Sequence, residues 1–205
     1  VEQNIMMNNP FFRLFNLLGG EVTRYGSYSS AAISFGAIPY TYGTSWGNRS
    51  LKTIQEGELV VLFGFAPNDM RMAGDGPGYD LNVVRETKNA RVIVIDPRRN
   101  ETCTNQGAEW IPIVPGTDAA LVAGIAHELI SQDLVDLDFL HTYCMGFDEE
   151  SMPEEARGKN LSYRDYIMGT GYDKVEKTPA WAASITKIPA ERIVKLAHEI
   201  AESDP

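Results

Sequence analysis

The chain has 205 residues, 43% of them hydrophobic and 22% charged, with a formal net charge of −10. Such a length makes one large domain or two small ones and buries roughly 70% of its surface on folding, enough for a core without staples. The acidic balance excludes general binding of nucleic acid or anionic membranes, which needs a basic face. No apolar run is long enough to cross a bilayer. The charge is unevenly placed: residues 1–102 carry ten Lys/Arg and ten Asp/Glu, residues 103–205 eight and eighteen.

In chain order, Asn9 and Pro10 suit the start of a helix carrying Phe11, Phe12, Leu14, Phe15, Leu17 and Leu18, which Gly19-Gly20 ends. Two stretches dense in small and aromatic residues follow, Tyr25-Gly26-Ser27-Tyr28-Ser29-Ser30 and Pro39-Tyr40-Thr41-Tyr42-Gly43-Thr44-Ser45-Trp46-Gly47-Asn48. They predict ordered but irregular backbone of the kind that forms binding surfaces. Leu59-Val60-Val61-Leu62-Phe63 is a continuous apolar run ending at Gly64, as a strand buried on both faces reads, and Val92-Ile93-Val94-Ile95 is a second. A helix over residues 79–88, with Leu81, Val84 and Val83 as candidates to face inward, makes this a βαβ unit with parallel strands. A third strand is expected over residues 110–114.

Thr117 is the expected N-cap of a helix with Leu121, Val122, Ile125, Leu129 and Ile130 at core spacing, and Asp118 suits its first turn. Asp148-Glu149-Glu150 and Glu154-Glu155 read as a solvated loop. Two helices close the chain: one from Thr178-Pro179 through Trp181 and Ile185, one from Pro189 with Ile193, Leu196, Ala197 and Ile200 inward. The fold class is α/β, a parallel sheet with flanking helices, open at one end. Cys103 and Cys144 stand in neither metal nor redox spacing and read as unpaired buried thiols. These two cysteines cannot build an iron–sulfur cluster on their own. His127, His141 and His198 have no zinc spacing and read as structural.

In an open parallel sheet, ligands bind outside the carboxyl ends of the strands. The loop after Phe63 carries Gly64, Pro67, Asp69, Met70 and Arg71; the loop after Ile95 carries Asp96, Pro97, Arg98 and Arg99. A carboxylate there accepts from a diol or a guanine edge, and a guanidinium forks onto a phosphate. Gly116, Thr117 and Asp118 add a helix start with backbone donors and one more acceptor. Singly, Asp96-Pro97-Arg98 is a turn and Asp118 a helix-start residue; jointly they point to a nucleotide-like ligand. The G-x-G-x-x-G fingerprint is missing after Phe63, so an ordinary nicotinamide site is not supported. Read from its neighbours alone, Ser29 caps a helix through Ala31, Ala32 and Ile33.

Three ordered motifs carry a resemblance: Leu62-Phe63-Gly64-x-x-Pro67-x-x-x-Arg71-Met72-x-Gly74, then Val94-Ile95-Asp96-Pro97-Arg98, then Trp110-Ile111-Pro112-Ile113-x-Pro115-Gly116-Thr117-Asp118. With Asn8-Asn9-Pro10, Pro39-Tyr40-Thr41-Tyr42-Gly43-Thr44 and the closing helices, the chain resembles the molybdopterin oxidoreductases over nearly its whole length. The likeness is strongest to the catalytic A subunit of anaerobic dimethyl sulfoxide reductase.

The resemblance implies a molybdenum bis(molybdopterin guanine dinucleotide) cofactor and, in the parent enzyme, a 4Fe-4S cluster outside this chain. Tyr25-Gly26-Ser27-Tyr28-Ser29-Ser30 matches the group's metal-ligating stretch, which makes Ser29 the catalytic metal ligand, with Ser27 or Ser30 the alternative. A hard alkoxide donor suits a high-valent metal. The same likeness places Gly64, Pro67, Asp69, Met70, Arg71, Ile95, Asp96, Arg98, Gly116, Thr117 and Asp118 against the dinucleotide. Phe65-Ala66 departs from the polar residues usual in the family, and Cys103 stands where a small residue is expected.

Residues 1–57 then form an irregular cofactor-facing segment behind the first helix, residues 58–146 a βαβ core, and residues 147–205 the acidic loop and closing helices. The expected activity of the parent is removal of oxygen from S-oxides or N-oxides, at the periplasmic face or in association with the bacterial membrane. An iron–sulfur electron-transfer subunit and a membrane anchor are the implied partners, with no nucleic acid among them. Val1 and the stop at Asp204-Pro205 read as the ends of a slice of a larger subunit, inactive by itself. The alternative from another class is a non-catalytic nucleotide-binding or interaction module. A hydrolase using Ser29 and His127 lacks a nucleophile elbow.

Overall fold

A computed structural model of the chain describes residues 9–20, 36–43, 51–69, 76–105 and 107–203. The backbone divides into two compact units, Val1–Arg49 and Ser50–Pro205. In the first, helix α1 spans Asn9–Leu17 and stops at Gly19 and Gly20, whose φ values of 110° and 101° no side-chain-bearing residue adopts cheaply. The second helix, α2, covers Ile38–Tyr42, inside the stretch expected to be irregular. Pro39 presets φ at its start, and Gly43, at φ 69°, closes it with its N–H on the Pro39 carbonyl.

The second unit runs from a 3-10 turn, Leu51–Glu56, into β1 (Leu59–Phe63), α3 (Pro77–Lys88), β2 (Arg91–Ile95), α4 (Glu101–Asn105) and β3 (Glu109–Ile111). There follow α5 (Asp118–Ser131), α6 (Leu137–Tyr143), a 3-10 turn at Glu154–Ala156, α7 (Tyr163–Ile167), α8 (Pro179–Thr186) and α9 (Ala190–Glu202). The sheet order is β1-β2-β3, and both pairings are parallel.

Strand β2 is central, and its side chains alternate. Ile93 and Ile95 join Ile111, Leu121, Ile125, Ile193 and Leu196 in one core cluster. Val92 and Val94 join Leu62, Leu81 and Cys103 in the other. A strand wet on neither face needs apolar residues at every position, which is why its sequence runs without polar breaks. Strand β1 departs from that expectation. Among the described residues it lies at the edge of the sheet, so Leu59, Val60 and Val61 are half-buried and Phe63 is 40% exposed. The third strand is shorter than expected and begins one residue earlier. It ends at Ile111 because Pro112 has no N–H for the ladder.

Helices α5, α8 and α9 form the layer over Ile93 and Ile95. Gly124 permits their close approach: a Cβ there would fall 2.6 Å from the Ala182 Cβ. Leu121 and Ile125 are buried as expected, but Val122 is exposed, because the helix turns Gly124, His127 and Glu128 inward beside them. The hydroxyl of Thr178 accepts from the Trp181 N–H and starts α8, as Ser162 does for α7 and Asp136 for α6. Thr117 stands at the N-cap of α5 as expected, but its side chain makes no cap bond; its hydroxyl donates to the Val114 carbonyl at 2.7 Å and tightens the preceding turn instead.

Charged groups tie the amino ends of β2 and β3 to α9. Arg91 and Arg192 each pair with both Glu109 and Glu199, closing a ring of alternating sign. Burial pushes the Glu109 carboxyl up, but the two guanidiniums outweigh it and hold its pKa below the ordinary value. Near the end of the chain Lys177 is 1% exposed; its ammonium donates to Asp173 and to the carbonyls of Tyr166 and Val175, and lies over the Tyr166 ring.

The acidic stretch is built rather than merely solvated. Asp148 accepts from the Ser151 N–H and hydroxyl and contacts His141 at 2.8 Å, while Glu149 accepts from the Gly158 N–H. Cys103 is buried as expected, whereas Cys144, at the end of α6, is exposed. All three histidines face carboxylates: His127 meets Glu176 at 2.8 Å and His198 meets Glu128 at 3.2 Å. No helix among the described residues is long and apolar enough to cross a membrane.

Candidate functional site

Because the strands are parallel, the loops after Phe63, Ile95 and Ile111 leave from one edge of the sheet. The ladder continues slightly beyond the strands: Gly64 N–H donates to the Ile95 carbonyl at 2.9 Å, and Asp96 N–H to that of Ile111 at 3.2 Å. Gly64 has φ 56° and Gly116 φ 76°, and no described residue stands within 4 Å of where a Cβ would be on either. Among the described residues both glycines therefore show bare backbone, which is what close approach of a ligand's phosphates demands.

Asp96 is the organiser of the second loop. One of its carboxylate oxygens accepts from the Arg98 N–H at 2.8 Å, the other from the Asn100 side-chain amide at 3.1 Å, and its carbonyl from the Trp110 indole at 2.8 Å. Each oxygen accepts one bond from the described residues, which leaves the carboxylate capacity to accept from a ligand. Arg98 is exposed, and its guanidinium is 3.7 Å from Asp69 Oδ2. Asp69 in turn accepts from the Glu101 N–H, and the Asn68 N–H donates to the Thr102 hydroxyl. The first and second loops are thus joined through α4.

The sequence-expected residues divide as follows. Gly64, Asp69, Asp96 and Arg98 come together on this edge, with Gly116 and Thr117 on the loop after β3 and Asp118 at the start of α5. Pro67 is a buried residue of the first loop, and the Ile95 side chain is fully buried, so only the Ile95 backbone reaches the edge. Asp118 is exposed in the first turn of α5. Ser29, with Ser27 and Ser30, lies outside the described residues, and so do Met70 and Arg71. Sequence reasoning missed α4, Asn100 and Thr102. The available signal was an asparagine three residues before Cys103, which is N-cap spacing.

Fold and edge define the class: an open α/β unit with backbone-rich loops along the carboxyl edge of its sheet. The chain belongs to the molybdopterin oxidoreductase family, whose model matches residues 1–190. It is similar to the dimethyl sulfoxide reductase DmsA of Escherichia coli (strain K12), 49% identical over 198 residues, covering 97% of this chain and 24% of that protein. It is 34% identical over 201 residues to the trimethylamine-N-oxide reductase of Haemophilus influenzae, covering 92% of this chain and 22% of that protein. The chain therefore spans about a quarter of the length of the curated relatives it matches. Among solved structures, acetylene hydratase from Pelobacter acetylenicus shares the fold, with a TM-score of 0.58 at 22% identity, covering 96% of this chain and 23% of that one.

The residues present suit a pterin cofactor bearing phosphates. The bare glycines leave room for an anion beside backbone, Arg98 supplies an exposed cation, and Asp96 keeps acceptors for N–H or O–H donors.

Proposed function

We propose that the polypeptide carrying this chain removes the oxygen atom from an S-oxide or N-oxide, and that this chain holds one side of a molybdenum bis(molybdopterin guanine dinucleotide). The observation that carries the reading is the convergence of three loops, each at the carboxyl end of a parallel strand, in a chain 49% identical to a dimethyl sulfoxide reductase. When bound, the cofactor supplies the two-electron chemistry that turns oxide, electrons and protons into reduced product and water. The chain's part is to bind and orient. Gly64 and Gly116 offer backbone to phosphate, Arg98 and Arg71 offer cations, and Asp96 and Asp118 accept from the guanosine. Pro67 and Ile95 fix the loop starts, Asp69, Met70 and Thr117 add polar and backbone contacts, and Ser29 provides the alkoxide ligand to the metal.

The reading extends to the whole polypeptide: a 4Fe-4S cluster outside this chain, an iron–sulfur electron-transfer subunit, a membrane anchor and a periplasmic location. Metal and nucleotide analysis of the whole polypeptide should find molybdenum together with guanine dinucleotide; a protein with neither is a binding module and overturns the reading. Replacing Ser29 by Ala in that polypeptide should lower S-oxide reduction with a reduced viologen dye at least about tenfold. Undiminished turnover at normal molybdenum content would remove Ser29 from the metal.

A further inference from the structure

We propose that Asn100 is a positioning residue for the cofactor. It touches no ligand, but it presets Asp96 and the Arg98 loop before the dinucleotide arrives. The proposal rests on the functional reading above for the identity of the ligand. Its structural half stands on the following geometry. Asn100 is 4% exposed, and both ends of its amide are engaged. The NH2 group donates to Asp96 Oδ2 at 3.1 Å, while the oxygen accepts from the Cys103 N–H at 3.2 Å and the Cys103 thiol at 3.4 Å. Reversing the amide would set an oxygen against a carboxylate and an NH2 against an N–H, so only one orientation fits.

One side chain therefore does two jobs. Its oxygen starts α4, the helix whose first residues hold Asp69 and the Asn68 N–H of the first loop. Its NH2 pins the Asp96 carboxylate, whose other oxygen fixes the Arg98 N–H. The loops after β1 and β2 are then presented as one surface rather than two mobile ones, and the ordering cost is met before binding. Asparagine thus supplies from one side chain both an acceptor for the cap and a donor for the carboxylate.

Asn100→Asp separates the two jobs. Aspartate caps a helix as well as asparagine, but here it would set a second carboxylate against Asp96. The expected result in the whole polypeptide is about tenfold faster amide exchange at Arg98 relative to the unaltered protein at the same pH, the loss of one bond to a charged group. Exchange at Cys103 should stay slow. Acidification toward the carboxylate range should restore Arg98 protection, as one proton bridges the pair; a cap alone shows no such return. Adding Asp96→Asn to make the swapped pair should also restore Arg98 protection, since donor and acceptor then exchange places. Molybdenum and guanine dinucleotide retained through gel filtration should fall in Asn100→Asp in step with the lost protection.

Unchanged exchange at Arg98 overturns the proposal, as does full cofactor retention despite lost protection. An unaltered protein that carries no guanine dinucleotide overturns the functional reading, and the exchange measurements still decide whether Asn100 presets the loop.

Discussion

His141 and Asp148 close the acidic turn from two sides, and their opposite shifts give it a defined pH range. The bond from Asp148 holds the His141 pKa above 6.5, helped by the charges of Asp148, Glu150 and Asp138. Burial alone would raise Asp148, but bonds from His141 and Ser151 outweigh it and hold the carboxyl down to about 2, from 3.8. Asp148 thus contributes stability that is present above pH 3.8 and lost as the pH falls through about 2. His141 contributes stability that is complete below pH 6.5 and lost as the pH rises through its raised folded value. Both contributions are whole between pH 3.8 and 6.5. Exchange protection of the Ser151 amide, which donates to Asp148, should be highest in that range and decline at higher pH. His141→Gln should flatten the upper limb; an unaltered protein with a flat profile would contradict the pairing. None of this was legible in the acidic run itself, which only pattern and composition described, because His141 and Ser151 are brought to it by the turn.

Among the elements, those with apolar periodicity were legible and those held by tertiary bonds were not. Strand β2 and helices α5, α8 and α9 declare themselves because burial on both faces or along one stripe forces the pattern. Helix α4 has five residues and no stripe; its first turn is held by Asn100, Asp69 and the Asn68 N–H, two of them from a loop over thirty positions away. Thr117 misled because a threonine at a helix start has two choices, and here the preceding turn takes its hydroxyl. The interface of α5 with α8 carries the sharpest packing prediction. Gly124→Ala gains about 1 kcal/mol in helix propensity, but its Cβ would collide with Ala182 at 2.6 Å, on a neighbouring helix that cannot yield locally. Overpacking of this kind costs about 1–3 kcal/mol, so urea denaturation should show a net loss, partly recovered by adding Ala182→Gly. A more stable Gly124→Ala protein would show that α8 shifts freely.

Across the whole second unit, the family and the α/β class were readable from three ordered motifs, since the loops that follow parallel strands must share an edge. What those loops do to one another was not readable, because the joints through α4 join residues far apart in sequence. The uneven charge agrees with this layout: the balanced half carries the first two loops, and the excess acid lies beyond them on the closing helices and turns. The two core layers share β2, and each has a tryptophan packed against it, Trp181 in one and Trp110 in the other. Single-tryptophan variants that retain one or the other in this unit should report the same urea midpoint. Separate midpoints would mean that the layers melt independently. That shared wall has a thermodynamic consequence for maturation. A ligand gripping the carboxyl edge holds the ends of strands common to both layers, so its binding energy is added to the folding of the whole unit. Each tenfold excess of ligand over its dissociation constant deepens the native state by about 1.4 kcal/mol. On the proposed cofactor reading, empty chains would open more often than loaded ones, and proteases would meet them first.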